Sequence, residues 1–314
     1  MKFAVIGSGG VGGYFGAQLA KAGEDVMFTA RGKHLEAMQA HGLRVVSTEG
    51  TVVVPASRCV ATPEAIGPVD VVLFCVKSYD TESAGRTLKP LLRPDTVIIS
   101  LQNGVENEDL LRGVFPDAVV FGGVAYVYAT ITRPGEVTES GGPRKLVFGP
   151  FEGSPVEHRR RATAILDVVR GAGIAAEVPG DIIAALWKKF IFITGAAGLT
   201  ALTRLTLAEI LAVEPTRLLL ADAMGETLTV ARGRRVHIEE DYLHGVFATI
   251  HRFDNNTRSS LYYDLVHGKP LELEALSGAV VRFGTALGVP TPVHRTIYAA
   301  LLPYHLKHTR TTAS

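Results

Sequence analysis

Two spacings of apolar residues divide this chain. In the first half, short apolar runs alternate with helical stretches, and glycine, proline or acidic residues sit between them. Phe3–Ile6, Asp25–Thr29, Val69–Val76, Thr96–Leu101, Val119–Tyr128, Glu136–Glu139 and Lys145–Phe148 read as strands. Leu43–Thr48 and Thr51–Pro55 read as an antiparallel ribbon around Glu49-Gly50. Val69–Val76 is nearly all apolar, as a central parallel strand buried on both faces must be. Helices are expected over Tyr14–Ala22, His34–His41 and Thr81–Leu92. Alternation of this kind predicts a doubly wound α/β sheet. In the second half, apolar positions recur at three- and four-residue intervals, which is the signature of amphipathic helices. After a last strand at Ala175–Val178, helices are expected over 181–211, 214–235, 240–251, 257–267, 270–287 and 291–302. Pro179-Gly180, Gly268-Lys269-Pro270 and Gly288-Val289-Pro290-Thr291-Pro292 break them. The pattern therefore predicts an N-terminal α/β domain over 1–178, an all-helical C-terminal domain over 179–306 and a disordered tail over 307–314.

The first strand runs straight into Gly7-Ser8-Gly9-Gly10-Val11-Gly12. A glycine-rich turn between a first strand and a helix is the fingerprint of a Rossmann-type dinucleotide-binding domain. Gly7 permits the tight turn, Gly9 lets the backbone approach a pyrophosphate, and Gly12 lets helix and strand pack closely. The helix N-terminus offers N–H groups and a partial positive charge to phosphate. A turn that binds nothing is the bland alternative.

Composition narrows the reading. The 314 residues are 47% hydrophobic and 20% charged, with net charge +1. That is an ordinary globular balance, with no bulk attraction for nucleic acid or an anionic membrane. No basic, apolar leader precedes the first strand. The longest apolar stretch, Phe190–Ala201, is interrupted at Thr194, Gly195 and Gly198, and no span of a bilayer is expected. Cys59 and Cys75 fit reduced thiols of a cytoplasmic protein. The ten histidines show no metal-ligand spacing.

In such a fold the end of the second strand meets the adenosine ribose. An acid there binds the 2′-hydroxyl of NAD, and an Arg accommodates the 2′-phosphate of NADP. Here the position holds Arg31, with Lys33 nearby and no carboxylate in the stretch Phe28–Lys33. Arg forks onto phosphate through paired N–H groups, so the expected cofactor is NADP(H). A solvated loop arginine is the alternative.

Several side chains carry candidate chemistry. Lys188 and Lys189 begin an apolar helical stretch, and one must face water less than the other. A desolvated lysine has a lowered pKa and becomes a better proton donor near neutrality. Spacing alone does not choose between them, and both could snorkel. Glu272 is placed at the start of the 270–287 helix, on a face with Ala275, Leu276 and Ala279. A carboxylate there needs a partner, or it serves only the helix dipole. Asn103 and Lys77 follow buried strands at the carboxyl edge of the sheet, where open α/β sheets bind ligands. Asn103-Gly104 is also a common turn pair.

Together these segments resemble the ketopantoate reductase (2-dehydropantoate 2-reductase) family of the 6-phosphogluconate dehydrogenase-like superfamily, over about residues 1–305. The marks are the glycine turn, Arg31, Val76-Lys77-Ser78, Gln102-Asn103-Gly104, Leu186-Trp187-Lys188-Lys189, Leu199-Thr200-Ala201-Leu202-Thr203, Ser259-Ser260, Glu272 and Gly288-Val289-Pro290-Thr291-Pro292. The resemblance implies NADPH-dependent reduction of 2-dehydropantoate to pantoate, in the pantothenate pathway. It makes Lys189 the acid that protonates the ketone oxygen and puts Glu272 near the nicotinamide and that lysine. It gives Ser260 the substrate carboxylate, Asn103 both cofactor ribose and substrate, Lys77 the cofactor, and Ala129 a backbone against the nicotinamide. Ser8, Gly10 and Val11 join the three fingerprint glycines in contacting the cofactor. A homodimer through the helical domain fits the same picture.

The chain departs from the family at three asparagines. Those at +4 and +8 from the lysine are Ile193 and Ala197, and the one before the family's Gly-Glu-Leu is Leu207, followed by Ala208-Glu209-Ile210. Ile193 and Ala197 share a helix face with Lys189, so the substrate-facing lining is expected to be apolar, with Thr194 or Thr200 as substitute hydroxyls. The expected activity is reduction of a small 2-oxo acid. One rival is the same fold acting on a more apolar 2-oxo acid or aldehyde. Another is an NADP-binding sensor or assembly protein without catalysis, against which Lys189, Ser260 and Glu272 together argue.

Overall fold

The computed structural model describes residues 1–250 and 258–311. Contacts divide the chain into an α/β unit, 1–102 with 106–185, and a helical unit, 103–105 with the chain from 186 onward. The expected boundary near Pro179 lies just ahead of this division.

The α/β unit contains β1 Lys2–Ile6, α1 Gly10–Lys21, β2 Asp25–Thr29, α2 Gly32–His41, β3 Leu43–Ser47, β4 Gly50–Val54, β5 Cys59–Val60, β6 Val71–Phe74, α3 Thr81–Gly85, β7 Val97–Ser100, α4 Asn107–Val114, β8 Val119–Tyr126, β9 Ala129–Arg133, β10 Glu136–Glu139, β11 Lys145–Gly149, α5 Val156–Gly171 and β12 Ala175–Glu177. Eight strands form one sheet in the order β12-β11-β8-β7-β6-β1-β2-β5. Strands β5, β2, β1, β6, β7 and β8 are parallel to their neighbours, and β11 lies antiparallel to β8. The chain leaves β1 for β2 on one side and later returns to β6 on the other. The carboxyl ends of β1 and β6 thus form the switch point, where open α/β sheets leave a crevice. Phe3, Val5, Phe15, Phe28, Leu73 and Phe121 build the core on one sheet face, and Ala4, Ile6, Val72, Phe74 and Ile98 on the other. The expected ribbon pairs Leu43 with Val54 and Ser47 with Gly50. It joins a second sheet, β4-β3-β10-β9.

Local pattern misplaced several boundaries. Helix α1 starts at Gly10, not Tyr14, because the glycines that read as turn let its first residues lie flush on the strands. The helix expected over Thr81–Leu92 stops at Gly85, and a 3-10 turn follows at Lys89–Leu91, where Pro90 lacks an N–H for a helical ladder. Strands β5 and β9 and helix α4 were not expected. β5 is two residues long, and β9 is half-buried to exposed, so neither carries an apolar signal.

The helical unit takes in most of α6 Ile182–Thr203, then α7 Leu207–Ala212, α8 Glu214–Gly233, α9 Tyr242–Thr249, α10 Ser260–Val266, α11 Ala279–Leu287 and α12 Pro292–Thr311. The single helix expected over 181–211 breaks at Arg204, whose φ is 68°. Thr206 and Glu209 then form a capping box that starts α7. The last helix reaches Thr311, so the expected tail is helical that far. The ends of two expected helices, at His251 and Thr257, lie outside the described residues. Contrary to the expectation from the broken apolar stretch, α6 has the length and mean hydropathy, 1.6, of a membrane-spanning helix. Burial accounts for that character: 61% of its apolar window is inside the protein.

Candidate functional site

In the α/β unit the glycine turn is shaped by what a side chain would strike. At Gly7, φ is +94° and a Cβ would lie 2.8 Å from Val76 N. At Gly12 it would lie 2.4 Å from Gly7 O, and at Gly10 only 2.0 Å from Ala129 O. Around Gly9, the residue preceding α1, no atom lies within 4 Å of that position. The first turn of α1, whose N–H groups have no intrahelical partner, therefore opens onto space beside Gly9. That is the shape a pyrophosphate requires, and the residues present fit a dinucleotide.

Side chains fix this turn. Ser8 is buried, and both its N–H and its Oγ donate to Thr29 O, at 3.0 and 2.9 Å. Thr29 Oγ1 donates to Val5 O and accepts from Gly7 N–H. His34, which sequence reasoning missed, accepts from Gly135 N–H at Nδ1 (3.0 Å). Its Nε2 must then carry the proton and donate to Ser8 O at 2.9 Å. Burial lowers its pKa, which keeps the ring neutral. A histidine three residues beyond a loop arginine gave no sequence signal for this role.

Arg31 precedes α2, and its side chain is 80% exposed. Its Nη2 donates to Asp80 Oδ2 at 2.5 Å. The stretch Phe28–Lys33 holds no carboxylate, but the fold brings one to Arg31 from outside it. Asp80 comes from a turn 49 residues away in the chain, beyond the reach of a local reading. Lys77, half-buried, precedes that turn, and its carbonyl accepts from Asp80 N–H at 2.9 Å.

A buried polar cluster ties the turn to the end of β7. Gln102 Nε2 donates to Thr81 Oγ1 at 2.8 Å. Thr81 Oγ1 donates to Ser78 O at 2.8 Å and lies 3.0 Å from Asn107 Oδ1. Beside it, burial pushes the Glu108 carboxyl up to about 7. Val11 and Ala129 are half-buried.

In the helical unit the two lysines separate cleanly. Lys188 Nζ donates to Glu239 Oε1 at 2.6 Å and is partly exposed. Lys189 is half-buried, next to the buried Trp187 and Phe190. Burial brings its pKa down to about 8, and the Glu272 carboxylate opposes the fall. Glu272 is 5% exposed. It does not begin a helix as expected. It lies two residues ahead of a π-helical turn, Glu274–Gly278, that leads into α11. Its carbonyl accepts from Leu276 N–H at 3.2 Å. Ser277 in that turn pairs with buried His294 Nδ1 at 3.3 Å, and His294 Nε2 meets Thr227 Oγ1 and Ala223 O, both at 2.9 Å. Burial takes His294 down to about 4, so it stays neutral.

Along α6, Ile193 is half-buried and Ala197 fully buried. The expected substitute hydroxyls are engaged elsewhere. Thr194 Oγ1 donates to Phe190 O at 2.9 Å. Thr200 Oγ1 lies 2.8 Å from both Ala196 O and Ser259 Oγ. Ser259 caps α10 by accepting from Tyr262 N–H, and Ser260 is the exposed first residue of that helix. Leu207 is buried. Asn103 is half-buried and groups with the helical unit, although the strand before it belongs to the other. Among the described residues no cluster of three or more His, Cys, Asp or Glu could hold a metal ion.

Comparison with known proteins identifies the family. Residues 3–153 match the family described as ketopantoate reductase PanE/ApbA, and residues 181–305 match its C-terminal counterpart. The chain is 31% identical to 2-dehydropantoate 2-reductase of Mesorhizobium japonicum, covering 95% of this chain and 96% of that protein. It is also 31% identical to the uncharacterized oxidoreductase YkpB of Bacillus subtilis, with 97% and 99% covered. A PanE/ApbA family ketopantoate reductase from Ralstonia eutropha superposes with a TM-score of 0.87 at 34% identity, covering 98% of this chain and all of that one. Fold and comparisons define an oxidoreductase with a Rossmann-type α/β domain followed by a helical domain. Within that class, the chain belongs to the ketopantoate reductase family.

Proposed function

We propose that this protein reduces a small 2-oxo acid to the 2-hydroxy acid with NADPH. The observation that carries the proposal is the pairing of Lys189, desolvated to a pKa of about 8, with the buried Glu272. A lysine in that state is still protonated at neutral pH, yet gives up its proton far more readily than one in water. It is suited to protonate a ketone oxygen as negative charge develops there. The Glu272 charge keeps enough proton on Lys189 for the group to act as an acid. The dinucleotide, when bound, would supply the hydride. The α1 N-terminus and the open space at Gly9 would hold its pyrophosphate, Arg31 its 2′-phosphate, and Lys77 and Asn103 further parts. Ser260 would bind the substrate carboxylate. The chain's own contribution is positioning and electrostatic support of the developing alkoxide. A cytoplasmic setting is part of the proposal. It rests on two free cysteines, of which Cys59 is pushed up to about 11 by burial and so is unreactive.

Ketopantoate is the substrate that the family membership favours. A second reading rests on α6: Ile193 and Ala197 present no hydrogen-bonding side chain, and Thr194 and Thr200 bond within the helical unit. That lining favours an apolar branched 2-oxo acid. NADPH oxidation measured against a panel of 2-oxo acids, ketopantoate and 2-oxoisovalerate included, tests both readings. Turnover on none of them, with NADPH still bound tightly, would leave a binding protein rather than an enzyme.

A further inference from the structure

The Arg31–Asp80 pair lies at the position that reads the adenosine ribose. Arg31 is exposed and Asp80 only partly so, 80% against 21%. Asp80 is the better anchored of the two. Its N–H donates to Lys77 O, its carbonyl accepts from Ser83 Oγ at 3.1 Å, and it immediately precedes α3. The carboxylate is thus presented from a built turn, and the arginine reaches over to it. A 2′-phosphate arriving at Arg31 would meet a fixed negative charge already bonded to one arm of the guanidinium. It must share the arginine or displace the acid, and in either case it stays within a few ångström of a like charge. A ribose with a free 2′-hydroxyl meets no such repulsion.

We infer that Asp80 is a specificity-determining residue that opposes Arg31, holding the preference for NADP(H) over NAD(H) below what the arginine alone would give. The inference rests on Arg31 being the 2′-phosphate partner. Asp80→Asn tests it, since the amide oxygen can still accept from the guanidinium while the charge is gone. The readout is calorimetric titration of the purified protein with NADP⁺ and with NAD⁺, without substrate. Asp80→Asn should tighten NADP⁺ by about three- to tenfold, the scale of one exposed like-charge contact, and leave NAD⁺ within about twofold. Weaker or unchanged NADP⁺ binding would overturn the inference, because Asp80 would then be orienting Arg31 or irrelevant to it. Arg31→Ala, run alongside, separates the two levels. It should weaken NADP⁺ selectively. If it alters NADP⁺ and NAD⁺ equally, the cofactor assignment fails, and the inference with it.

Discussion

The carboxylate of Glu272 opposes the loss of basicity that burial imposes on Lys189. The two residues are more than eighty positions apart in the chain, one on α6 and the other just ahead of a π-helical turn. Neither influence alone suits a proton donor. Burial unopposed would lower the lysine's pKa further, and the carboxylate without burial would make it more basic than in water.

Lys189→Ala should therefore lower kcat by about a hundredfold or more, the usual scale for losing a general acid, with NADPH binding retained. Lys188→Ala removes only a partly exposed ion pair with Glu239 and should cost no more than a few-fold. Steady-state kinetics of the two variants decide the assignment; the reverse ranking would move the acid to Lys188.

The same pair fixes a pH dependence. In the proposed reaction the protonated lysine is the donor, so kcat/KM should be highest below about 8 and fall as pH rises through that value. Above it the decline should approach tenfold per pH unit. In Glu272→Gln the descending limb should move to lower pH, because the charge that supports protonation is gone.

Gly9 and Gly10 should respond differently to a methyl group. Gly9→Ala meets no atom within 4 Å and should leave the melting temperature nearly unchanged, while it weakens NADPH binding by occupying the phosphate space. Gly10→Ala would put its Cβ 2.0 Å from Ala129 O and should destabilise the fold itself. Thermal melts set beside cofactor titrations distinguish the two.

A substrate preference is expected from α6. A buried hydroxyl without a partner costs about 1–3 kcal/mol, or roughly one to two decades in kcat/KM. The enzyme should reduce 2-oxoisovalerate at least as well as ketopantoate, and Ile193→Asn should shift the ratio toward ketopantoate. A wild-type ratio well above about ten in favour of ketopantoate would show that its hydroxyl finds a partner elsewhere.

Glu108 gives a test of stability rather than chemistry. Its carboxyl titrates at about 7 in the folded protein, against 4.5 in the reference state. The folded state therefore holds the proton longer, and stability falls as pH rises from about 4.5 through 7. Glu108→Gln should raise stability by on the order of 2 kcal/mol at pH 8 and leave it unchanged near pH 4, as denaturant melts at the two values would show.

The sequence by itself determined the two-part architecture, the glycine turn on the first strand, Arg31 after the second and the lysine pair on an apolar helix. These are local signals: apolar periodicity, glycines that only close packing demands, and charge at a fixed distance from a strand end. What they left open was settled by contacts between residues far apart in the chain. Position 10 must be glycine because Ala129 O lies against it. Glu239 drew Lys188 aside and left Lys189 to be desolvated. Asp80 reached Arg31, and Thr200 met Ala196 and Ser259. Periodicity reports which face of an element is buried. It does not report which partner occupies the other side, and a pKa, a cofactor preference or a free hydroxyl depends on that partner.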